Sequence, residues 1–481
     1  MMLINLSKNL FNPFLCFAFL IALSACDNYS PSHRGFSTLE QIKQEGTINI
    51  LTRDYLIPYP KISGGLAGFE YDLIMLFANR IDVKVNFIVP SDFSGILKKI
   101  SSNQAHIAAA GITVTPARKK NMRFSPPYQS IKEQVIYLSG KKRPKTIADL
   151  TQGILEVPKG SSHIESLEVL KTKHPELTWN INAKLNSEAL MYLVNQGLID
   201  YTIADSHRAN SLKQFYPKLF SAFDISTKLQ LAWALPLSND NSLYNEVNSF
   251  FKEISQDKTL KHLLDKYYGN SKNLAYFDNR IFRVHVDQRL PTFISHFKQQ
   301  AKNNALDWRL LASIGYQESH WRPKATSPTG VRGIMMLTKK TAKQMGIVDR
   351  TNPAQSIKGG AIYLKKLLKQ IPRHIHEPDR TWFALASYNV GFGHLEDART
   401  ITKQRNGNPD KWLDVKASLP LLAKKKWYKQ TKYGYARGKE PVQYVENIRG
   451  YYNLLVWLTE ENKIEKQVML QRSQGLIASK L

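Results

Sequence analysis

The sequence predicts two folded modules, the first of mixed α/β class and the second all-helical. Between Gly46 and Gly269, short apolar and β-branched runs alternate with segments whose apolar residues recur at helical spacing. From Pro291 onward the helical spacing continues, and no strand pattern of comparable strength interrupts it. Because alternating strands and helices form a sheet covered by helices, this change of pattern separates an α/β part from a helical part.

Composition and charge narrow the class of protein. With 481 residues, of which 43% are hydrophobic and 22% charged, the chain has the composition of a globular protein of two or three domains. Its formal net charge of +28 predicts attraction to polyanions, whether nucleic acid, an anionic membrane or the anionic polymers of a bacterial wall. The sequence carries no zinc-finger cysteines, arginine-rich tail or aromatic RNA-binding signature, so we expect no nucleic-acid partner.

The N-terminus predicts export. Lys8 precedes an apolar run, Leu10 to Leu23, that is short for a membrane span, and small residues lead from this run into Cys26. The pattern resembles a bacterial lipoprotein signal, which implies removal of residues 1–25 and lipidation of Cys26. A short anchor that stays uncleaved is the alternative. The only other cysteine, Cys16, would leave with the signal, so no disulfide would remain in an oxidising compartment.

After a tether at residues 26–45, the first module is predicted at residues 46–269. Its first five elements alternate between strand and helix, in the order Thr47 to Leu51, Gly68 to Arg80, Val83 to Val89, Phe93 to Ser101 and Ile107 to Ala110. A linker at residues 270–290 follows, polar with scattered apolar residues. The second module is predicted at residues 291–481, with helices at Thr292 to Ala305, Asp307 to Ser319, Pro353 to Ile371, Thr381 to Val390 and Pro441 to Glu460.

Several segments of the first module resemble the periplasmic amino-acid-binding proteins of bacterial transporters. They are Gly65 to Leu73, Gly111 to Arg118, Phe124 to Tyr128, Val157 to Ser162 and Asp200 to Asp205. The resemblance implies a two-lobed fold with a ligand cleft formed by Thr113, Arg118 and Asp205. An arginine fork binds a carboxylate, a hydroxyl adds a donor, and an acid on the opposite lobe takes an ammonium. A docking platform in which Arg118 pairs with a neighbouring acid is the alternative.

In such a fold the chain crosses between the lobes twice. We expect the crossings near Ser139 to Pro144 and near Ser226 to Leu231, and closure about this hinge is the usual response to a ligand. We therefore predict that an amino acid or a wall-derived peptide binds the first module. Its binding would change the contact near the linker and open the cleft of the second module.

Glu318 is the candidate catalytic residue. Leu311, Ile314 and Glu318 stand at i, i+3 and i+7, so a carboxylate ends the apolar face of a helix that Pro323 should terminate. Burial disfavours the charged form of a carboxyl group and raises its pKa, which makes a glutamate a proton donor near neutral pH. Trp321 follows one turn later as a candidate apolar wall. On the helix pattern alone, a glutamate that faces water is the simpler interpretation.

The surrounding motifs favour the catalytic interpretation. They are Glu318-Ser319, Ser327 nine residues on, Gly333-Ile334-Met335-Met336, Thr381 to His394 and Ala436 to Ile448, and together they resemble the goose-type lysozyme and soluble lytic transglycosylase family. The resemblance implies a lysozyme-like helical fold with Glu318 as the catalytic acid. It further implies that substrate is contacted by Ser327, Met336, Tyr388, Asn389 and Tyr444. Met336 departs from the family pattern, which usually has glutamine there.

The resemblance also implies a reaction that needs one carboxyl group. In the family, the acid protonates the glycosidic oxygen between N-acetylmuramic acid and N-acetylglucosamine. It then takes the proton of the muramoyl C6 hydroxyl, which closes on C1 as a 1,6-anhydro ring. No second acid is apparent in the sequence, because Asp349 and Glu396 lie in polar surroundings and match no motif. We expect no cofactor and no metal.

The predicted partners are peptidoglycan glycan strands, an amino acid or muropeptide effector, and a membrane reached through the lipid on Cys26. These features together predict an enzyme on the periplasmic face of the cell envelope. The resemblance favours the outer membrane, whereas Asp27 resembles an inner-membrane retention signal. An amino-acid receptor that carries an inactive helical domain is the alternative function.

Overall fold

The computed structural model describes residues 36–53, 68–269, 279–460 and 463–473. The predicted signal and Cys26, the start of the motif at residues 65–73 and the first part of the linker, residues 270–278, lie outside the described residues. Among the helices in the described ranges, none combines the length and the apolar character that a membrane span requires.

The first module begins within the predicted tether. Helix α1 (Thr38–Glu45) starts at a capping box, in which the Ser37 hydroxyl accepts from the Glu40 backbone N–H and the Glu40 carboxylate accepts from the Ser37 N–H. Ile42 of this helix is fully buried in the core of the module. Residues 38–45 therefore belong to the folded module.

The remaining elements of the first module follow the predicted alternation as far as Thr113, after which some strands follow one another directly. They are β1 (Thr47–Leu51), α2 (Phe69–Ile81), β2 (Lys84–Ile88), α3 (Phe93–Ser101), β3 (Ile107–Thr113), α4 (Pro116–Lys119), β4 (Met122–Phe124), β5 (Gln129–Ile131), β6 (Glu133–Leu138), a 3₁₀ turn at Ala148–Gln152, β7 (Leu155–Pro158), α5 (Ser162–Lys171), β8 (Asn180–Asn182), α6 (Ser187–Asn195), β9 (Tyr201–Asp205), α7 (Ser206–Lys213), β10 (Leu219–Asp224), β11 (Leu229–Pro236), α8 (Ser242–Gln256) and α9 (Thr259–Tyr268).

Two sheets divide these elements into two lobes. The first lobe has the strand order β2-β1-β3-β11-β4, with β5 also paired to β11, and the second has the order β10-β6-β9-β7-β8. The chain first crosses between the lobes at Lys132, so the predicted crossing near 139–144 is wrong. Strands β5 and β6 are separated by that one residue, and only their different pairing partners reveal the boundary. The second crossing, between Asp224 and Leu229, overlaps the prediction.

The second module is helical. Its elements are α10 (Asn279–Gln288), α11 (Leu290–Asn304), α12 (Trp308–Ser319), α13 (Lys339–Gln344), α14 (Pro353–Gln370), α15 (Asp379–Val390), α16 (Phe392–Gln404), α17 (Trp412–Ser418), a 3₁₀ turn at Leu419–Ala423, α18 (Lys425–Tyr428), α19 (Lys439–Thr459) and α20 (Lys463–Ser473). The five predicted helices are confirmed with ends within two residues of the prediction. Helix α10 lies in the predicted linker.

The hydrophobic cores do not follow the division into modules. Buried residues of the second lobe and of the helical module form one continuous core, in which the rings of Phe215 and Trp457 stack with centroids 4.3 Å apart. Helix α20 packs on α6 of the second lobe and buries Ile464 and Val468. The first lobe keeps cores of its own. It meets the helical module through polar contacts such as the 2.7 Å ion pair between Lys416 Nζ and Asp265 Oδ1.

Candidate active site

Helix α12 presents Glu318 at its C-terminal end. The Asp307 side chain caps the start of the helix by accepting from the Arg309 N–H at 2.8 Å, and Leu311 and Ile314 are fully buried, as the apolar stripe predicted. The helix ends at His320, whose φ of 53° is left-handed. The Trp321 indole is buried and donates to the Ala312 carbonyl at 2.8 Å, so this side chain packs back onto its own helix.

Glu318 is a partly buried carboxyl group with one hydrogen-bond donor. The Tyr444 hydroxyl donates to Glu318 Oε1 at 2.6 Å. Burial raises the pKa of Glu318 to about 7, and the hydrogen bond from Tyr444 acts in the opposite direction. Among the described residues, no second carboxylate contributes to this pKa shift. Glu318 is therefore poised to give or take a proton near neutral pH without help from a neighbouring acid.

Three tyrosines form one wall of the site. Tyr444 of α19 and Tyr388 of α15 stack with ring centroids 6.4 Å apart, and Tyr363 of α14 meets Tyr388 edge-on at 5.1 Å. Burial, followed by the charge of Glu318, raises the pKa of Tyr388 and of Tyr444 well above the ordinary value. Both hydroxyls therefore stay protonated. The sequence motifs included Tyr388 and Tyr444 but not Tyr363, which belongs to the apolar face of α14.

The loop after α12 approaches the tyrosines through its backbone. The Tyr388 hydroxyl donates to the Met335 carbonyl at 3.1 Å, and Met336 adopts a left-handed φ of 45°. The Ser327 hydroxyl lies within its own turn, where it accepts from the backbone N–H groups of Thr329 at 3.2 Å and Val331 at 3.3 Å. Contacts of Ser327 and Met336 with a substrate therefore stay predictions.

The other motif residue of α15, Asn389, is exposed beside Tyr388. Its contact with substrate also stays a prediction. Two hydrogen bonds between amide side chains connect α12 to α19, and the sequence motifs did not single them out. Asn447 donates to Gln317 Oε1 at 3.0 Å, and Gln443 donates to Asn447 Oδ1 at 2.6 Å. It fixes the two helices that carry Glu318 and Tyr444, because Gln317 precedes the acid and Gln443 precedes the tyrosine.

The first module contains a second candidate site. A cavity of about 550 Å³ lies between the lobes, and its lining includes Thr113, Arg118 and Asp205, which are all buried. The sequence prediction that these three residues share a cleft is thus consistent with their placement. Leu470 of α20 also lines this cavity, so the last described helix of the chain reaches the cleft of the first module.

Charged side chains already surround Asp205. His163 Nε2 lies 3.3 Å from Asp205 Oδ1 and 4.0 Å from Glu133 Oε1, and Arg208 Nε lies 3.6 Å from Asp205 Oδ2. Burial opposes ionisation of Asp205, but the hydrogen bond from His163 and the nearby positive charges lower its pKa below the usual range. Glu133, His163 and Asp205 have the spacing of a metal site. Arg118 and Arg208 next to them would repel a divalent cation, so we interpret the cluster as an ion-pair network.

Comparison with known proteins divides the chain into the same two modules as the fold does. Residues 48–270 match the family described as bacterial extracellular solute-binding proteins, family 3, and residues 295–411 match the transglycosylase SLT domain. The second match includes Glu318, Ser327, Met336, Tyr388 and Asn389, and it ends before Tyr444.

Full-length relatives have the same order of modules. The membrane-bound lytic murein transglycosylase F of Saccharophagus degradans is 44% identical over 439 residues, which cover 91% of this chain and 87% of the relative. The protein of that name from Pseudomonas fluorescens is 44% identical over 425 residues, with 88% and 87% covered. Among solved structures, an ancestral arginine-binding protein bound to arginine covers 46% of this chain at 24% identity, with a TM-score of 0.41.

Proposed function

Because the chain belongs to the family of membrane-bound lytic murein transglycosylases F, we propose that it cleaves peptidoglycan glycan strands with Glu318 as both acid and base. The environment of the Glu318 carboxyl group is the main support for this role. Its pKa is near 7, it accepts one hydrogen bond from Tyr444, and no second carboxylate influences it within the described residues. A hydrolase with two acids would need such a partner to activate water or to attack the sugar.

The reaction then proceeds in two proton transfers at one residue. Protonated Glu318 donates to the glycosidic oxygen between N-acetylmuramic acid and N-acetylglucosamine as the bond from C1 to that oxygen breaks. The resulting carboxylate takes the proton of the muramoyl C6 hydroxyl, whose oxygen bonds to C1. This step closes the 1,6-anhydro ring and restores the acid. The nucleophile is part of the bound substrate, so its effective concentration at C1 is high.

We assign the surrounding residues to substrate binding. The neutral hydroxyl of Tyr444 holds Glu318 in place, and the stacked ring of Tyr388 offers a flat apolar face to a sugar. Asn389 and Ser327 offer polar groups at the rim, and Met336 replaces an amide side chain with an apolar one. A methionine side chain cannot give a substrate the amide hydrogen bond that a glutamine could give at this position.

The product distinguishes this reaction from hydrolysis. Purified sacculi digested with the full-length protein should release muropeptides that end in 1,6-anhydro-N-acetylmuramic acid, which mass spectrometry separates from the reducing product by the mass of one water. The Glu318→Gln variant should release none. A hydrated product would contradict the proposal and would require a second carboxylate.

We further propose that the first module binds an amino acid or a wall-derived peptide between its lobes and thereby controls lysis. Support comes from the shared cavity that holds Thr113, Arg118 and Asp205. It also comes from the polar contacts of the first lobe with the helical module. Titration calorimetry of the wild type and of Arg118→Ala with amino acids and muropeptides tests binding. Lytic rates with and without the bound compound test control. A compound that binds without changing the rate would contradict control.

As a family member, the protein works as a membrane-associated enzyme of the periplasm. We propose that a lipid on Cys26 attaches it to a membrane, and that this is the outer membrane. Fractionation of wild type, Cys26→Ser and Asp27→Ser cells tests both points. Loss of membrane attachment in Cys26→Ser is expected. A wild type in the inner-membrane fraction that moves to the outer membrane in Asp27→Ser would contradict the second point.

A further inference from the structure

In the cleft of the first module, the guanidinium group of Arg118 already contacts three groups of the protein. Nη1 donates to the Thr113 carbonyl at 3.1 Å, and Nη2 donates to the Gly160 carbonyl at 3.0 Å. Glu165 Oε1 lies 3.0 Å from Nε and forms an ion pair. The carboxylate of Glu165 thus holds a position beside Arg118 that the carboxylate of an amino acid would need.

The acid expected to take an ammonium group is engaged in the same way. Asp205 Oδ1 lies 3.3 Å from Nε2 of His163, a ring that is buried. Burial works against the charged form of His163, but Asp205 and Glu133 outweigh it and raise the pKa of this imidazole above the ordinary value. The ring of His163 therefore occupies the place beside Asp205 that a ligand ammonium would need.

The contacts of Arg118 join the two lobes, whereas the contact between His163 and Asp205 lies within the second lobe. Arg118 follows β3 of the first lobe, whereas Gly160, His163 and Glu165 belong to the turn and helix after β7 of the second. Two further contacts cross the same boundary, because Ser162 Oγ lies 3.1 Å from Thr113 Oγ1 and Arg53 pairs with Glu188 at 2.8 Å. The lobes also pack closely at Gly160, where an added Cβ would lie 2.8 Å from Ser94 Cβ. The two lobes are thus held together by contacts between their own residues.

We propose that Glu165 and His163 of α5 are built-in substitutes for the carboxylate and the ammonium of the ligand, which must displace both to bind. The inference rests on the proposed ligand-binding role of the cleft and defines the ligand as one with an α-carboxylate and an α-ammonium on the same carbon, as in a free amino acid. Its binding replaces an existing contact between the lobes, so the lobes separate before the ligand enters. The cavity beside these residues, with Phe93 and Leu470 in its lining, accommodates the rest of the molecule.

The first arm of the test measures closure without ligand. Glu165→Gln keeps the size of the side chain and removes the charge that Arg118 holds. Glu168→Gln on the exposed side of the same helix is the matched control. Cysteines introduced at the exposed positions Lys84 and Lys173 of the full-length protein carry spin labels. Double electron–electron resonance between the labels then measures the distance between the lobes. We expect a longer distance to become populated in Glu165→Gln, with the control unchanged.

The second arm measures affinity. Each free L-amino acid and the muropeptides released from sacculi serve as probes in titration calorimetry. Removal of an internal competitor raises the fraction of binding-competent protein, so we expect Glu165→Gln to bind a given probe about ten-fold more tightly than Glu168→Gln. A probe that binds both variants equally, together with an unchanged distance between the lobes, overturns the inference but leaves the ligand-binding role intact. If no probe binds any variant, the ligand-binding role fails. The distance in Glu165→Gln then decides alone whether the lobes close on these side chains.

Discussion

Glu318 has to donate a proton and then recover one, and both tasks depend on a pKa close to the working pH. We expect Glu318→Gln to reduce the rate of wall cleavage by at least ~10²–10⁴-fold, the usual value of general acid-base catalysis, because the amide can perform neither transfer. The substitution is nearly isosteric, so the fold should persist. Turnover by the purified variant on sacculi is the measurement, and Glu440→Gln on an exposed turn of α19 is the control. Turnover near that of the wild type would contradict the assignment.

The pH dependence of the reaction follows from the environment of the same carboxyl group. The free enzyme needs Glu318 protonated, and its pKa is about 7, so kcat/KM should fall as the pH rises through this value. Tyr444 stabilises the carboxylate by its hydrogen bond and so lowers the pKa. Tyr444→Phe should therefore raise the pKa and move the fall to higher pH.

Tyr388→Phe is the matched control for that experiment. Its hydroxyl donates to the Met335 carbonyl and not to Glu318, so its loss can change the rate but should leave the position of the fall in place. Profiles of kcat/KM against pH for the three proteins decide the matter. A shift of the Tyr444→Phe profile to lower pH would contradict the role of Tyr444.

At the scale of residues, the sequence predicted groups that belong to motifs and did not predict groups defined by the tertiary fold. Glu318 stood out because a carboxylate ended an apolar helical stripe, and the structure places it partly buried as expected. His163 and Glu165 did not stand out, since the segment that carries them has the composition of an ordinary surface helix. Their importance depends on Arg118 and Asp205, 42 to 47 residues away along the chain.

At the scale of elements, the loop between α12 and α13 depends on one glycine. Gly333 has a φ of +88°, and a Cβ there would lie 1.8 Å from the Arg350 carbonyl oxygen. Gly346 also has a positive φ, of +68°, but a Cβ there would meet no atom within 4 Å. Gly346→Ala should therefore cost only the left-handed conformation, about 1–2 kcal/mol. Gly333→Ala should cost a further ~1–3 kcal/mol of overpacking.

Comparing the two alanine variants separates the cost of the left-handed backbone, which both share, from the cost of the steric clash, which arises only in Gly333→Ala. Urea unfolding gives the two free energies, and we expect Gly333→Ala to be the less stable. It should also lose more lytic activity, because Met335 and Met336 follow directly and would move with the loop. Equal stability of the two variants would mean that the loop accommodates the added methyl group.

The sequence predicted elements well where one period ran without interruption, as in the five long helices of the second module. It failed at the first crossing between the lobes, because β5 and β6 form a nearly continuous strand pattern across Lys132 and differ only in what they pair with. It also left α10 in the linker, since a short polar helix has too few apolar residues to show a period. Phe282 of that helix is nevertheless fully buried against the catalytic module.

At the scale of the whole molecule, the first lobe touches the helical module through charges on α9. Asp265 Oδ1 pairs with Lys416 Nζ at 2.7 Å, and the Asp265 carbonyl accepts from Arg449 Nη2 at 3.0 Å. Arg449 lies on α19, the helix that also carries Tyr444. Movement of the first lobe would therefore act on the helix whose tyrosine holds the catalytic acid.

Removing the charge of Asp265 should weaken the control of lysis by the ligand. We expect Asp265→Asn to reduce the ratio of the lytic rates with and without muropeptide by two-fold or more, within the ~1–3 kcal/mol usual for coupled sites. Asp257→Asn is the control, because Asp257 is exposed and its carboxylate accepts from the nearby Thr259 N–H. An unchanged ratio in Asp265→Asn would mean that another contact transmits the movement.

The core shared by the second lobe and the catalytic helices also governs how the protein is made. A ribosome delivers the chain from its N-terminus, so the second lobe is complete well before α19 supplies Trp457 to cover Phe215. Until then Phe215 lacks the ring that stacks on it, and exposed apolar surface of this kind makes an incomplete chain prone to aggregation. A chain cut short within the helical module would keep both binding lobes and lack α19, the helix that carries Tyr444. Such a fragment could not hold the catalytic acid in place, so an incomplete product would not cut the wall.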